Sequence, residues 1–382
     1  MKIGIVCYPT YGGSGVIATE LGKALAKKGH QVHFITYETP VRLDFFHENI
    51  FYHEVSGFDY PLFQHQPYES ALASKIVDVA RYELLDILHV HYAIPHASSA
   101  LLAQSILRES GYKLPFVTTL HGTDITLIGK DPGYKPVVEY SINHSNGITS
   151  VSKSLRDETY QHFRINREIE VIPNFIDFSR FRKTNKDHFK KAIAPNGEKI
   201  LIHVSNFRKV KRVEDVLRMF DLVIKKIPSK LFLVGDGPER MNTELVCRQL
   251  GNCDSIRFLG KQDAVEDLLA VSDLFVLPSE TESFGLAALE AMAVEVPVIS
   301  SNAGGIPEIN IHGKTGFMSN VGDFEDMARN AIYILEDDAR LKEFKKNAFA
   351  QAKTFDIDNI LPLYEAYYEQ VKRSASITEP VG

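Results

Sequence analysis

The sequence predicts an α/β fold of two doubly wound, Rossmann-like domains facing a cleft, and three observations predict it. Short apolar runs alternate with helical periodicities along nearly the whole chain. The alternation breaks once, around residues 173–197, where Pro195, Asn196 and Gly197 supply turn signals. In each half the first apolar run ends in a loop suited to anions, glycine-rich in the first and basic in the second. A chain of 382 residues, 44% of them hydrophobic, is long enough for two domains of ordinary size. A net charge of −6 argues against a nucleic-acid partner. No stretch approaches the roughly 20 apolar residues of a membrane span, so a cytosolic protein is expected. Cys7, Cys247 and Cys253 lack metal-ligand spacing and read as reduced, buried thiols.

Residues 2–7 form the first expected strand, which runs into the loop YPTYGGSG and then a helix over 16–28 that stops at Gly29. Gly13, Ser14 and Gly15 stand at the helix start, where glycines permit close backbone approach and free amides accept an anion. A plain tight turn accounts for the same glycines. The loop does not match G-x-G-x-x-G, and Thr36 and Tyr37 occupy the place of the ribose-binding acid, which argues against a nicotinamide oxidoreductase. A second strand over 31–36 leads into a connection carrying Phe45, Phe46, Phe51, Tyr52, Phe58 and Tyr60, expected to serve packing, and then a helix over 68–85. Strands over 87–91 and 116–120 end in HVHYAIPH and LHGTD. His89, His91 and His96 read as structural; His121, followed by Gly122, Thr123 and Asp124, is the stronger functional candidate. Residues 148–151, a helix over 153–163 and residues 170–172 complete the first layer.

The second series has strands over 200–205, 231–234, 256–259, 274–277 and 298–300, with helices over 213–227 and 239–250. The boundaries follow: a first domain over 1–175, a linker over 176–198, a second domain over 199–358, and a crossover helix and tail over 359–382. The amphipathic segment 360–372 is expected to return to the first domain, with the tail frayed from Ser374.

Four loops of the second half follow strands of one sheet and so converge on one crevice. Residues 205–212 bring four cations, Arg208, Lys209, Lys211 and Arg212; GDGP spans 235–238, PSETESFGLAALEAMA 278–293 and GGIPE 304–308. In the third, a helix capped near Ser283 leaves the amides around Phe284, Gly285 and Leu286 unpartnered, with Leu286, Leu289 and Ala293 facing the core. Glu282 and Glu290 stand eight residues apart, at most about 12 Å along a helix, which suits a grip on the sugar and the ribose of a nucleotide sugar. A loop acid and a solvated helix acid would look the same one at a time.

On GGSG, HGTD, the basic loop with Lys211, GDGP and the Glu-x7-Glu pair of ESFGLAALE, the chain resembles the retaining GT-B glycosyltransferases of family 4 over nearly its whole length. The resemblance implies a nucleotide diphosphate sugar held mainly by the second domain, an acceptor held mainly by the first, and no required metal or other cofactor. Carried over by position, Glu290 would bind the ribose, Lys211 the diphosphate, and Glu282 with the Phe284 and Gly285 amides the transferred sugar. His121 would line the reacting centre, so that His121, Lys211 and Glu282 form the catalytic set; Gly15, Asn206 and Arg208 complete the donor set. One departure is Asn206, five residues before Lys211, where the family usually has arginine; whether Arg208 replaces that charge stays open.

YPTYGGSGVIATELG with HVSNFRKVKR is similar to the branch of the family that transfers N-acetylglucosamine from UDP-N-acetylglucosamine to L-malate in bacillithiol synthesis. For that small dianion Gly13, Ser14, Tyr92 and Thr123 are acceptor candidates, with Lys130 or Lys135 as counter-charge. A family member with a lipid or glycan acceptor, a UDP-N-acetylglucosamine epimerase of the same fold and a non-catalytic nucleotide-sugar binder are the alternatives. The sequence leaves a homo-oligomer open.

Overall fold

A computed structural model describes residues 1–43, 46–56, 67–182 and 187–377, so Phe45, Phe58 and Tyr60 lie outside the described residues. The chain forms two compact units, one of Met1–Asn174 with Ile357–Gly382 and one of Phe175–Asp356.

The first unit has seven parallel strands: β1 (Lys2–Val6), β2 (Gln31–Thr36), β3 (Ile50–Glu54), β4 (Ile87–His91), β5 (Phe116–Leu120), β6 (Gly147–Ser150) and β7 (Glu170–Val171). Their order is β3-β2-β1-β4-β5-β6-β7, so the winding reverses between β1 and β4. A doubly wound sheet opens a crevice for ligands at such a switch point, beyond the strands' C-terminal ends. β4 and β5 are buried along their whole length, as strands covered on both faces must be, and their apolar runs are therefore easy to read.

The helix Ile357–Ile377 belongs to this unit, as the crossover expectation holds, and it continues past Ser374 instead of fraying there. Tyr364 and Tyr368 are fully buried on it. The Tyr368 hydroxyl and His89 Nδ1 are hydrogen bonded at 2.7 Å, and the Tyr367 hydroxyl accepts the Ile148 amide at 2.8 Å. Gly147 is required beneath this helix, because a Cβ there would sit 2.6 Å from Val371 and 2.9 Å from Tyr367.

The second unit has six parallel strands: β8 (Lys199–Val204), β9 (Ser229–Val234), β10 (Ile256–Gly260), β11 (Leu274–Leu277), β12 (Val298–Ser301) and β13 (Gly316–Ser319). Their order is β10-β9-β8-β11-β12-β13, with the switch point between β8 and β11. The helix Val213–Ile224 buries Val213, Val216, Leu217, Phe220 and Val223, a stripe at helical spacing that packs into the core with Met327, Ala331 and Leu335.

Residues 175–198 lie in this second unit. Lys190 donates to Asp273 at 2.6 Å, Lys345 donates to the same carboxylate at 2.8 Å, and Asp273 also accepts the Ile200 amide at 3.0 Å. Burial works to raise the Asp273 carboxyl, but Lys345 and Lys190 outweigh it and hold it below the ordinary value. Asp273→Ala strands two cations and an amide, so it is expected to destabilise this unit by about 3 kcal/mol, read as a lowered melting temperature. Because the folded pKa is depressed, the contribution is present above the unfolded value and is lost as pH falls.

The cysteine expectation is corrected. Cys247 and Cys253 are joined as a disulfide, with their Cα atoms 5.6 Å apart, and only Cys7 is a free, buried thiol. Phe46 is exposed, and Phe51 and Tyr52 are exposed at the sheet edge, so these aromatics do not serve the core as expected.

Candidate active site

In the second unit the basic loop leaves β8 and the Glu282 loop leaves β11, so the two flank the switch point. They are tied together: the Glu280 amide donates to the Val210 carbonyl at 2.8 Å, and Lys211 Nζ donates to Glu282 Oε2 at 2.6 Å. Both side chains of that pair are mostly but not fully buried. The basic loop is pinned from below by Phe207, fully buried although its φ is +38°. It is pinned from the side by the GDGP turn. A Cβ on Gly235 would fall 1.8 Å from the Ser205 carbonyl oxygen and one on Gly237 2.0 Å from that of Asn206. GDGP thus supports the loop by close backbone contact that only glycine allows.

GGIPE plays the same part for the other loop. The Gly305 amide donates to the Glu282 carbonyl at 2.8 Å, and a Cβ on Gly304 would lie 2.0 Å from that oxygen. The helix begins at Leu286, two residues later than a Ser283 cap implies, because Gly285 takes a left-handed φ of +94° as its cap. Leu286 is consequently only partly buried, while Leu289 and Ala293 face the core as expected. The amides of Phe284, Gly285 and Leu286 precede the first intrahelical bond, from Ala288 to the Gly285 carbonyl. Glu290 lies one turn further on, half-buried.

Of the four cations, Arg212 is turned away, its Nε donating to Asp215 at 2.6 Å. Arg208 is exposed and makes no ion pair among the described residues, while Asn206 beside it is exposed too. Arg208 and Lys209 are thus exposed on the loop, with the Lys211–Glu282 pair between it and the Glu282 loop.

The first unit repeats the plan. The YPTYGGSG loop leaves β1, His91 ends β4 and Tyr92 follows it, and across this switch point the Ser14 and Tyr92 hydroxyls hydrogen bond at 2.8 Å. Tyr92 is held at φ +89°. Its ring lies edge-on to Tyr8 at 5.4 Å and 5.3 Å from the His121 ring. Gly13 is exposed at the helix start, and Thr123, two residues after His121, is half-buried. Gly15 is buried: a Cβ there would meet the Tyr8 and Thr10 carbonyl oxygens at 2.5 Å, so its role in the structure is to let the helix sit against the loop.

His121 Nε2 is 2.7 Å from His91 Nδ1, and His96 Nδ1 bonds the His91 carbonyl. Asp124, almost fully buried, accepts the Ala93 and Gly122 amides at 3.0 Å each and so joins the β4 and β5 loops. Burial raises its carboxyl to about 6. Asp124 and His91, which the sequence offered only as part of the turn after His121 and as a structural histidine, surround His121, and Tyr8, given no role in the sequence, packs on Tyr92. Lys130 pairs with Glu158 at 2.9 Å and Lys135 approaches Glu139 at 3.9 Å, both lysine side chains remaining accessible.

The histidines make this unit sensitive to acid. Burial lowers His89 and His121 to about 3 and His96 to about 4. Folded values below the unfolded one mean that the stabilisation is present above about 6.5 and is lost as pH falls toward the folded values. Each histidine then costs about 1.4 kcal/mol per pH unit, while Asp124, shifted upward, offsets one of them between about 4 and 6. Melting temperature is expected to fall steeply from pH 7 to pH 5, with net proton uptake on unfolding; a flat profile contradicts the neutral cluster.

Two parallel doubly wound sheets, each carrying loops at its switch point, are the architecture of the GT-B fold. Residues 11–180 match the model of Glycosyltransferase Family 4 and residues 184–351 that of Glycosyl transferases group 1. The chain belongs to family 4 of the glycosyltransferases. It is 47% identical over 375 residues, covering 98% of both chains, to N-acetyl-alpha-D-glucosaminyl L-malate synthase of Bacillus anthracis. It is also 30% identical to an uncharacterized glycosyltransferase of Methanocaldococcus jannaschii, over 88% of this chain and 90% of that one. Among solved structures, Anabaena HepE in complex with UDP and glucose superposes with a TM-score of 0.82 at 21% identity, over 97% and 99% of the two chains. Sucrose-phosphate synthase from Thermosynechococcus elongatus does so with a TM-score of 0.81 at 19% identity, over 98% and 100%.

Proposed function

We propose that this enzyme transfers N-acetylglucosamine from UDP-N-acetylglucosamine to the hydroxyl of L-malate with retention at the anomeric carbon, giving the sugar malate used for bacillithiol. The observation that carries the reading is the 47% identity, end to end, with a synthase of that name. Lys211 and Arg208 neutralise the diphosphate, with Asn206 beside them; Glu290 takes the ribose hydroxyls; Glu282 and the Phe284 and Gly285 amides take the sugar hydroxyls. Gly13, Ser14, Tyr92 and Thr123 receive malate, whose carboxylates suit amide and hydroxyl donors, and His121 lines the reacting centre.

In the reaction the bond from the anomeric carbon to the UDP oxygen breaks while the malate hydroxyl oxygen bonds to that carbon from the same face. The hydroxyl proton passes to a β-phosphate oxygen, and UDP departs. Negative charge grows on the leaving diphosphate, where fixed cations and amides stabilise it without solvent reorganisation. The test is proton NMR of a reaction with UDP-N-acetylglucosamine and L-malate. An α-configured N-acetylglucosaminyl malate is expected. A β product refutes retention, and a new UDP-sugar from donor alone favours the epimerase.

A further inference from the structure

Three metal-ligating side chains converge in the first unit on residues that none of the assigned roles uses. His33 lies on β2 and His53 on the edge strand β3, and the parallel register puts Phe51 opposite His33 and His53 opposite Ile35. All four side chains consequently share one face of the sheet. The His33 ring stacks 4.7 Å from Phe51 and 5.3 Å from His53. Glu83 is the last residue of the helix Tyr68–Glu83 that covers this face, and the left-handed Leu84, at φ +58°, ends the helix there.

Ligand atoms of His33, His53 and Glu83 all lie within 4.8 Å of one another. His33 Nδ1 and His53 Nε2 face each other at 3.0 Å. Two imidazole nitrogens so placed can share one proton or, with both unprotonated, one metal ion. Bonds of 2.0–2.1 Å to a tetrahedral ion put two nitrogens about 3.3 Å apart, close to the spacing already present. His33 is fully buried, and its other nitrogen has no hydrogen-bond partner. Of the lysines near the two rings, Lys75 pairs with Asp78 at 3.5 Å, and Lys2 Nζ donates to the Glu83 main-chain carbonyl at 2.8 Å, leaving the Glu83 carboxylate to the ion.

We propose that His33, His53 and Glu83 bind one divalent ion of the zinc class, with a fourth position left to water. Two imidazoles and a carboxylate are a ligand set that zinc accepts, whereas magnesium and calcium favour oxygen ligands. The ion fastens the exposed edge strand β3 to β2 and to the end of the covering helix, so its role is structural.

Zinc chloride is titrated into chelator-treated full-length protein against a chromophoric chelator, with cobalt(II) chloride as an absorbing substitute. One site per chain is expected, with visible cobalt bands showing nitrogen ligation and a zinc-dependent rise in melting temperature. His53→Gln and Glu83→Gln are each expected to weaken that site by at least roughly 10-fold and to abolish the melting shift, while UDP release stays at the wild-type rate and shows the variants folded. Wild-type protein that binds no zinc at micromolar concentration overturns the proposal. So do folded variants that bind zinc as tightly as the wild type.

Discussion

Lys211→Ala is expected to slow UDP release by about 10²- to 10³-fold at saturating donor, the cost of removing one well-placed charge donor from a transition state. Lys211 is held by Glu282 at 2.6 Å and reaches the switch point from a loop braced on two sides, so its position is fixed before donor binds. A cation placed in advance acts mainly on charge that develops during the reaction, which lowers kcat and kcat/KM together. The substitution also leaves Glu282 without its counter-charge beside an incoming diphosphate, which adds to the loss. Arg212→Ala is the matched control. Its guanidinium is bound to Asp215, so the expected effect is on stability, with turnover retained. A Lys211→Ala enzyme with wild-type turnover would refute the assignment.

Gly304→Ala is expected to lower kcat/KM by about 10²-fold although residue 304 need not touch substrate. The added Cβ would sit 2.0 Å from the Glu282 carbonyl oxygen, and an ordinary contact requires more than an additional 1 Å of separation. The backbone there is at φ +56°, so alanine is strained as well. Relief must move the Glu282 loop, and with it the partner of Lys211. Gly313→Ala separates geometry from backbone strain. It has φ +74° but nothing within 4 Å of its Cβ position, so it is expected to reduce stability by about 1 kcal/mol and leave kcat/KM alone. Equal activity losses in the two variants would show that the close approach at Gly304 does not matter.

The sheets were legible because their strands are covered on both faces. β5 and β11 are unbroken apolar or β-branched runs, and β2 and β4 are such runs interrupted by Gln31 or buried histidines, all four with the observed bounds. β3 and β13 escaped for opposite reasons. β3 is an edge strand whose residues Phe51, Tyr52 and Glu54 are exposed, and β13 is four residues that include a glycine and two serine-like or sulfur side chains, too short for a period. The helices Ser98–Glu109 and Lys135–His144 bury narrow faces of largely small or polar residues, Ser99, Ala100 and Ala103 in one and Ser141 in the other, so their apolar periodicity is faint.

The site divides in the same way. Chain order placed loops at strand ends, and the topology then put the loops after β8 and β11 on either side of one switch point. Which side chains meet could not be read from order. The Lys211–Glu282 pair joins residues 71 positions apart, Ser14–Tyr92 spans 78, and Arg212, adjacent to Lys211, turns the other way. The helix cap lies at Gly285, two residues past Ser283, because a glycine at positive φ serves where sequence favours a hydroxyl. Cys247 and Cys253, six positions apart across a glycine turn, are brought together by the last turn of one helix and the short helical turn that precedes β10.

The central claim is that donor is held by the Lys211–Glu282 half-site and discharged only onto a small hydroxy dicarboxylate. The most direct measurement is UDP release from UDP-N-acetylglucosamine across a panel of L-malate, D-malate, lactate, succinate and inositol phosphates. The account predicts release that is strong with L-malate, weak with lactate and D-malate, and at the donor-alone rate with succinate, which has no hydroxyl to attack. Release that is indifferent to L-malate, or equally fast with an inositol phosphate, would contradict it.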